Sequence, residues 1–245
     1  IKSSLEKKGY YIFKNNGKFL IKDINYSLNL IKKKCLSNKN IKEDLKNKYS
    51  NPLKIKNYQR HLLGEFGEAQ TVRANNLVQI VNPLWCEDYL KLRKYFIYIC
   101  KFRNLLIGKS LNFGIDKPVG NLYPLTRVQY YPSGGGFMAS HKDSRGANVT
   151  KNDGIKNYTL LFLMSKKGVD YKTGGGYIIK NNKRIFLDDK ADRGDIVIYN
   201  GKIEHGVETI DTDLPINDDS KRLKGRFALF CTFYKTKNLA PKNLK

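Results

Sequence analysis

The stretch "VQYYPSGGGFMASHKD", residues 128–143, joins an apolar run to a glycine-rich turn and then to a histidine and an aspartate two positions apart. Side chains two apart on an extended strand point to the same face, so His141 and Asp143 would offer one nitrogen and one oxygen to a single ion. Lys142 would point away. The chain has only 3 histidines among 245 residues. This pair, placed directly after a run of glycines, therefore marks a candidate metal site.

Short β-type runs surround this stretch. From about residue 125 onward, clusters of Gly, Asn, Asp and Lys separate short apolar segments and are interpreted as turns. The segments are "TRVQYY", "NYTLLFLMS", "GYIIKN", "RIFLD", "DIVIYN" and "RFALFCTFY". Many short strands of this kind predict a double-sheet jelly roll. We expect residues 121–238 to form this β core.

The first half of the chain has a different pattern. Apolar positions recur at helical spacing in "DYLKLRKYFIYICKFRNLLIG" and around "YSLNLIKKKCL", after a short predicted strand, "GYYIFKN". No internal repeat or long linker divides the sequence. We therefore predict a single domain over residues 1–245, of α+β class with a mainly β core, in which a helix-rich N-terminal part, residues 1–120, supports the core.

The composition indicates in which cellular environment the protein is expected. A hydrophobic content of 40% allows a substantial core. No apolar segment approaches the roughly 20 residues that span a bilayer, and the first residues lack the apolar block of a secretory signal. The 4 cysteines are scattered without CxxC spacing, so we expect reduced thiols that mostly pack in the core. The sequence predicts a soluble, cytoplasmic protein with no membrane partner.

The net charge of +24 has two interpretations. A strongly positive surface attracts polyanions such as nucleic acids. However, the excess is mainly lysine dispersed along the chain, together with abundant Asn, Ile and Tyr, which is typical of an AT-rich genome. Nucleic-acid proteins more often concentrate basic residues on one element, interleaved with aromatics. We favour the compositional interpretation and retain nucleic acid as the alternative partner.

Two further residues extend the candidate site. "RGDIVIYNGKIEHGVETI", residues 193–210, predicts a strand, a turn and then His205. Two imidazoles and one carboxylate form a facial set with open positions, which suits non-haem Fe(II) and oxygen chemistry. Arg226 begins an apolar strand, where a buried guanidinium needs an anionic partner. A dicarboxylate cosubstrate would supply one through bidentate pairing.

Because these segments occur in the order typical of the family, the sequence resembles the Fe(II)- and 2-oxoglutarate-dependent oxygenases. Its pattern of segments is most similar to their prolyl-4-hydroxylase-like branch. The resemblance covers residues from about 125 to 235. It rests on the quoted HxD stretch, on "NYTLLFLMS" and "TGGGYII", and on "GDIVIYNGKIEHGV" and "GRFALF". It implies a double-stranded β-helix, a jelly-roll variant related to the cupins, with iron at one mouth.

The resemblance also implies roles for individual residues. The Fe(II) ligands would be His141, Asp143 and His205. Arg226 would pair with the distal carboxylate of the cosubstrate 2-oxoglutarate, and O2 would take the remaining position at the iron. Tyr131 and Thr159 would form hydrogen bonds to the same cosubstrate.

Two positions depart from the family pattern. Ala228 stands where the family often has a serine or threonine two positions after the arginine. The glycine run before the HxD is one residue longer than the usual turn, which leaves open whether Tyr130 or Tyr131 faces the pocket. We favour Tyr131 on the assumption that the strand is regular.

The resemblance implies an activity as well. In the family, 2-oxoglutarate is decarboxylated to succinate and CO2, and the oxidising power so obtained removes a hydrogen from the substrate. Halogenating members replace the carboxylate ligand by a small residue, so the presence of Asp143 favours hydroxylation, desaturation or ring formation. We expect a hydroxylase acting on a small molecule such as an amino acid or related metabolite.

Two other functions compete with this interpretation. Nucleic-acid dealkylating members resemble the chain around Gln129 and Tyr131, but they carry a second arginine six residues after the first, where this chain has Thr232. A cupin-like metal protein that is not an oxygenase would give Arg226 no obvious role. The third histidine, His61, has no partner at ligand spacing and is expected to be structural. Substrate choice is expected to depend on the helical half and on the loops 142–156 and 211–224.

Overall fold

The structure, a computed structural model, describes residues 1–36, 58–62, 65–66, 72–120, 122–143, 155–215 and 224–235. Most of the loops 142–156 and 211–224 lies outside these residues. Within them the helices are α1 (Lys2–Lys8), α2 (Ile21–Ile31) and α3 (Arg93–Leu106), with a π-helical segment, Lys32–Leu36, directly after α2. None of these described helices has the length and apolar character needed to cross a bilayer.

The described strands form two sheets. The strands are β1 (Tyr10–Phe13), β2 (Tyr58–Leu62), β3 (Glu65–Phe66), β4 (Val72–Asn75), β5 (Leu77–Val81), β6 (Leu122–Pro132), β7 (Phe137–His141), β8 (Tyr158–Leu163), β9 (Gly175–Lys180), β10 (Lys183–Phe186), β11 (Ile196–Asn200), β12 (His205–Glu208) and β13 (Gly225–Lys235). The major sheet has the order β1-β11-β8-β13-β6-β5-β2, and the minor sheet has the order β10-β9-β12-β7-β4-β3. Neighbouring strands within each sheet are antiparallel.

Successive side chains of the central strands of the major sheet alternate between two hydrophobic clusters, one on each face of the sheet. On β8, Leu160 and Phe162 pack in the cluster that includes the buried face of α3, whereas Leu161 and Leu163 pack in a second cluster with Ile178 of β9 in the minor sheet. Both faces of the strand are therefore buried, which is why its sequence is a continuous apolar run rather than an alternating one.

Strand β13 repeats this arrangement and fixes the direction of its first side chains. Leu229 and Cys231 face the helices, and Ala228 and Phe230 face the space between the sheets. Successive residues of a strand alternate between its two faces, so Arg226 lies on the inner face with Ala228. The inner face of the major sheet thus carries a charged residue at one end of a mostly apolar strand.

The first half of the chain contributes more strand than its sequence pattern predicts. Strands β1 to β5 all precede residue 82 and belong to the same two sheets as the later strands, so the sheets extend across the boundary drawn at residue 121. Asn76 separates β4 of the minor sheet from β5 of the major sheet, and its φ of 47° lies in the left-handed region. The chain changes sheets at this corner, which asparagine tolerates better than most residues.

Candidate metal and cosubstrate site

Two cross-strand neighbours in the minor sheet form the centre of the site. His141 is the last residue of β7 and His205 is the first residue of β12, and the two are paired in the register of these strands. Their ring centroids are 4.5 Å apart. The glycine-rich turn before β7 and the turn before β12 therefore place the two imidazoles side by side, although 64 residues separate them in sequence.

Asp143 completes this group just beyond the end of β7. Its backbone N–H donates to the carbonyl of Gly201 at 3.0 Å, which holds the residue against the turn that leads to β12. Its Oδ1 lies 3.8 Å from Nε2 of His141, and its Oδ2 lies 3.7 Å from Nε2 of His205. One ligand atom from each residue lies within 4.8 Å of the other two. These separations exceed hydrogen-bond length and leave room for an ion between the three groups.

The second nitrogen of each imidazole faces a backbone carbonyl. Nδ1 of His141 lies 2.9 Å from the oxygen of Ala139, and Nδ1 of His205 lies 2.8 Å from the oxygen of Ile203. A proton on each Nδ1 satisfies these carbonyls and leaves the lone pair of Nε2 directed toward Asp143. This is the tautomer and orientation that a metal-binding histidine requires.

Thr159, which the resemblance places at the cosubstrate, contacts the aspartate. Its Oγ1 donates to Oδ2 of Asp143 at 3.2 Å. The residue is fully buried on the inner face of β8. The structure therefore places Thr159 next to the candidate metal ligand Asp143, and its predicted hydrogen bond to the cosubstrate stays a prediction.

Arg226 is buried, as predicted, but the chain itself supplies its anionic partner. Nε of Arg226 donates to Oδ2 of Asp188 at 2.6 Å and Nη2 donates to Oδ1 at 3.1 Å. Asp188 thus supplies the anionic partner that a buried guanidinium needs, and the predicted pairing of Arg226 with the distal carboxylate of 2-oxoglutarate stays a prediction. Only Nη1 has no hydrogen-bond partner among the described residues.

Asp188 is held by more than the arginine. The hydroxyl of Tyr171 donates to its Oδ2 at 2.5 Å and the N–H of Gly176 donates to the same oxygen at 2.9 Å. Although burial opposes ionisation, the nearby guanidinium and these donors lower the pKa of Asp188, and the carboxylate in turn raises the pKa of Arg226. Both pKa shifts therefore favour the ionised forms of the two side chains.

The ion pair packs against β9, the neighbour of the strand that carries His205. A Cβ atom on Gly176 would lie 2.8 Å from Nη2 of Arg226, so the guanidinium packs directly against the backbone of β9. Gly176 is the cross-strand partner of Val207, two residues beyond His205 on β12. The guanidinium and the candidate metal ligands therefore occupy the same part of the space between the sheets.

The structure distinguishes between the two neighbouring tyrosines. Tyr131 is the cross-strand partner of Arg226, and the guanidinium carbon lies 5.7 Å from its ring centroid. Tyr130 packs on the opposite face of β6, stacked on Phe227 at 4.1 Å between centroids, and donates its hydroxyl proton to the carbonyl of Lys224. Tyr131, the residue favoured from the sequence, is the one that faces the interior. Burial raises its pKa to about 12, so it remains a neutral phenol.

Tyr199 belongs to the same interior and was not identified from the sequence. Its ring centroid lies 4.8 Å from that of His205, and it shares the inner face of β11 with Val197. Burial raises the pKa of this phenol, and the charges of both Asp143 and Arg226 act on it. Strand alternation would have located it, because positions 197 and 199 of "DIVIYN" face the same side. Asp188 and Tyr171 gave no comparable signal.

His61 lies apart from this group in the register of the sheets. It is paired with Val78 between β2 and β5, at the end of the major sheet away from β11. Its side chain is outside the described part of the chain, so the expectation that it is structural stays a prediction.

Similar solved structures are Fe(II)- and 2-oxoglutarate-dependent oxygenases. A prolyl-4-hydroxylase from Pseudomonas putida is 10% identical, with a TM-score of 0.54 over 96% of this chain and 97% of that chain. A prolyl hydroxylase from Trichoplax adhaerens, in complex with a hypoxia inducible factor peptide fragment, is 14% identical, with a TM-score of 0.52 over 95% and 86%. The non-haem alpha-ketoglutarate-dependent epimerase SnoN from nogalamycin biosynthesis is 9% identical, with a TM-score of 0.55 over 95% and 80%.

These likenesses define the fold. A second structure of the epimerase contains Fe3+ and alpha-ketoglutarate. No protein-family model and no curated protein matches the chain. At these identities the comparison shows that the chain has the double-stranded β-helix fold of the 2-oxoglutarate oxygenases, including prolyl hydroxylases. The predicted mainly β jelly roll with a helical support is confirmed.

Proposed function

We propose that the protein is an Fe(II)- and 2-oxoglutarate-dependent dioxygenase that hydroxylates an unactivated C–H bond of a small molecule, such as an amino acid or related metabolite. Succinate and CO2 would be released. The observation that carries the proposal is the convergence of His141, Asp143 and His205, with one ligand atom from each within 4.8 Å, inside a fold shared with oxygenases of this type.

The residues fit a divalent iron ion. Two neutral imidazole nitrogens and one carboxylate oxygen are the donor set of non-haem Fe(II) enzymes, and they leave positions for other ligands. The backbone carbonyls at the Nδ1 atoms and Thr159 at the carboxylate orient all three donors before metal binds. Thr159 is therefore proposed to orient Asp143.

The interior also fits a carboxylate ligand next to the metal. Nη1 of Arg226 is buried and lacks a partner among the described residues, and such an orphaned donor is costly unless a ligand accepts its protons. Tyr131 lies beside the guanidinium. When bound, 2-oxoglutarate and O2 together would supply the oxidant that removes a substrate hydrogen. The chain's own residues would hold the reactants and exclude water.

The dispersal of the positive charge supports a small-molecule substrate. The position of the second arginine of the nucleic-acid dealkylating members is occupied by Thr232, whose buried hydroxyl has no partner among the described residues and cannot replace a guanidinium. The net charge of +24 keeps dealkylation as the second candidate function. A cupin-like protein without oxygenase activity is the third.

The test is a succinate-release screen. Protein is reconstituted anaerobically with Fe(II) and 2-oxoglutarate, exposed to O2, and assayed with free amino acids, peptides and methylated oligonucleotides at moderate salt. Salt matters because the lysines should bind duplexes weakly and without specificity. We expect substrate-dependent succinate from a small molecule. Damage-dependent turnover of oligonucleotides alone would favour the dealkylase, and iron binding without any succinate would favour the cupin-like protein.

A further inference from the structure

Strand β6 carries two polar residues on the face that bears Tyr131. Tyr130 packs in the cluster that includes α3, whereas Tyr131 packs with residues of the minor sheet. Because successive residues of a strand alternate between its faces, Arg127 and Gln129 face the space between the sheets together with Tyr131. The guanidinium carbon of Arg127 lies 4.4 Å from the ring centroid of Phe230, which belongs to the same interior. Polar groups therefore continue along the inner face of β6 beyond Tyr131.

The neighbouring strand β5 places a second amide beside Gln129. Gln79 is its cross-strand partner, and it faces the interior because Val78 and Ile80 pack in the cluster that includes α3. Both glutamines are 7% exposed, and Arg127 is 8% exposed. No hydrogen bond joins either amide to the described part of the chain. A buried amide without a partner is costly unless a ligand or water satisfies it. These two amides and Arg127 form a polar wall inside the protein.

The polar wall extends to the level of the candidate metal ligands. The turn between β6 and β7 reverses the chain as it passes from the major to the minor sheet, and Tyr131 and Met138 pack together beside this turn. Arg127 lies four residues before Tyr131, about 13 Å from it along β6. His141 lies three residues after Met138, about 10 Å from it along β7. Both residues are thus displaced from the turn in the same direction, so Arg127 and His141 lie at similar heights on opposite sheets.

Most of this wall lies apart from the expected position of the cosubstrate. In the proposed function, 2-oxoglutarate extends from Arg226 to the metal, and Arg226 is paired with Tyr131 at one end of β6. Arg127 is paired with Phe230, four residues farther along β13. Gln79 lies on β5, which β6 separates from β13 in the sheet. Arg127 and Gln79 are therefore placed to contact a second molecule beside the metal.

The chemistry of the polar wall matches a free amino acid. A guanidinium pairs with a carboxylate through two parallel N–H donors, and stacking on an aromatic ring holds the plane of the group. The oxygen of a glutamine amide accepts hydrogen bonds from an ammonium group. Resting on the proposed function, we infer that the polar wall binds an amino-acid substrate. Arg127 receives its carboxylate, and Gln79 and Gln129 receive its ammonium group.

The test uses anaerobic protein loaded with Fe(II) and 2-oxoglutarate. Each of the common free L-amino acids is titrated calorimetrically, and for each one that binds, the amine that lacks only the carboxylate is titrated next. We expect at least one amino acid to bind, and to bind at least about tenfold more tightly than its amine, because the charge-assisted bonds to Arg127 are lost with the carboxylate. This comparison needs no variant, so it does not depend on how a substitution affects folding.

Two variants assign the contacts. Arg127→Met should reduce the preference for the amino acid over its amine by about tenfold. Gln79→Leu should weaken both ligands by about tenfold and leave their ratio unchanged, because both carry the ammonium group. The affinities for Fe(II) and 2-oxoglutarate should not change in either variant. The matched control is Arg184→Met, which removes an exposed guanidinium that packs 4.7 Å from the ring centroid of Tyr177; its ligand affinities should equal those of the unaltered protein.

The outcomes separate this inference from the proposed function. If the protein binds Fe(II) and 2-oxoglutarate but no amino acid, the inference is overturned and the proposed function remains for other small molecules. Equal affinities for the amino acid and its amine, an unchanged preference in Arg127→Met, or unchanged affinities in Gln79→Leu also overturn it. A variant that loses affinity for 2-oxoglutarate instead would assign the polar wall to the cosubstrate. Iron binding without binding of 2-oxoglutarate by the unaltered protein would overturn the proposed function itself.

Discussion

Oγ1 of Thr159 donates a hydrogen bond of 3.2 Å to Oδ2 of Asp143, the same oxygen that lies 3.7 Å from Nε2 of His205. One contact thus fixes how the carboxylate is turned toward the imidazoles. Thr159 lies on β8 of the major sheet and Asp143 directly follows β7 of the minor sheet, so the hydrogen bond also links the two sheets at the site. Such partners of metal ligands orient the donors and adjust their basicity.

Replacing Thr159 by valine should weaken metal binding by about 10- to 100-fold, because the shape is kept while the hydrogen bond to Asp143 is lost. Thr159→Ser keeps the hydroxyl and is the matched control. Competition for Fe(II) against a chelator of known affinity measures the effect. Equal affinities for the valine and serine variants would mean that the contact does not orient the carboxylate.

The protein should bind one Fe(II) per chain, and His141→Ala or His205→Ala should abolish binding. Two remaining donors hold a labile divalent ion poorly. Glu208→Gln is a suitable control, because this half-exposed residue lies on the same strand as His205 and pairs with Arg184. Calorimetric titration under anaerobic conditions decides the outcome, and undiminished affinity in both alanine variants would remove the three residues from consideration.

The Arg226–Asp188 pair should dominate the stability effects of substitutions in the interior. Arg226→Met leaves a buried carboxylate without its partner, and Asp188→Asn does the reverse, so each should lower the free energy of unfolding by about 3 to 5 kcal/mol. The double variant should lose much less than the sum. Urea denaturation of the cycle tests this. The exposed pair Arg184–Glu208 is the control and should contribute about 1 kcal/mol or less.

The ion pair also changes how the effect of an Arg226→Ala substitution is interpreted. The role that the resemblance implies for Arg226 predicts that this substitution weakens the binding of 2-oxoglutarate and leaves iron binding nearly intact. In the structure it also leaves the carboxylate of Asp188, which is 4% exposed, without its cationic partner. A weaker affinity for 2-oxoglutarate in that variant is therefore informative only if the folded fraction is measured in the same sample.

Cys231 should make stability depend on pH. Its Sγ lies 3.0 Å from Nη1 of Arg103 and 3.2 Å from Sγ of Cys100. Burial opposes the thiolate, but the Cys100 thiol and the Arg103 guanidinium outweigh burial and lower the pKa of Cys231 to about 7, from 9.0. Because the folded pKa is below the unfolded one, the stabilisation is complete above about pH 9 and is lost as the pH falls through 7.

The measurement is urea denaturation under reducing conditions at pH 6 and pH 9.5. The difference in unfolding free energy between the unaltered protein and Cys231→Ala should grow by on the order of 2 kcal/mol at the higher pH. Cys35→Ala is the control, because burial raises the pKa of that thiol instead. A pH-independent difference would show that Cys231 stays a neutral thiol.

The sequence predicts those site residues whose positions depend on nearby segments of the chain. It does not predict contacts between residues that only the packing of distant segments brings together. The HxD, His205 and Tyr131 follow from strand alternation and from the order of segments, both of which are visible along the chain. The partner of Arg226 lies 38 residues away, beyond the end of β10, and is held against β9 of the minor sheet, so only the packing of the two sheets brings it to β13. Nothing in the local sequence around Asp188 indicates that neighbour.

The early strands illustrate a different limit. The run "LVQIV", residues 77–81, is too short and too uniformly apolar for its periodicity to distinguish strand from helix. Its strand conformation follows from pairing with β6, which begins more than 40 residues later. The helix-rich interpretation of residues 1–120 therefore holds for α2 and α3 but misses the strands between them.

Strand β1 is short, but it covers the edge of β11. It pairs with β11 from Tyr10↔Tyr199 to Phe13↔Ile196 and so occupies the outer side of the strand that carries Tyr199. A form of the chain that begins after Phe13 would leave the N–H and C=O groups of β11 open to other molecules. Open edges of this kind recruit strands from neighbouring copies, so proteolytic nicking near Lys14 should convert a dispersed protein into one that aggregates.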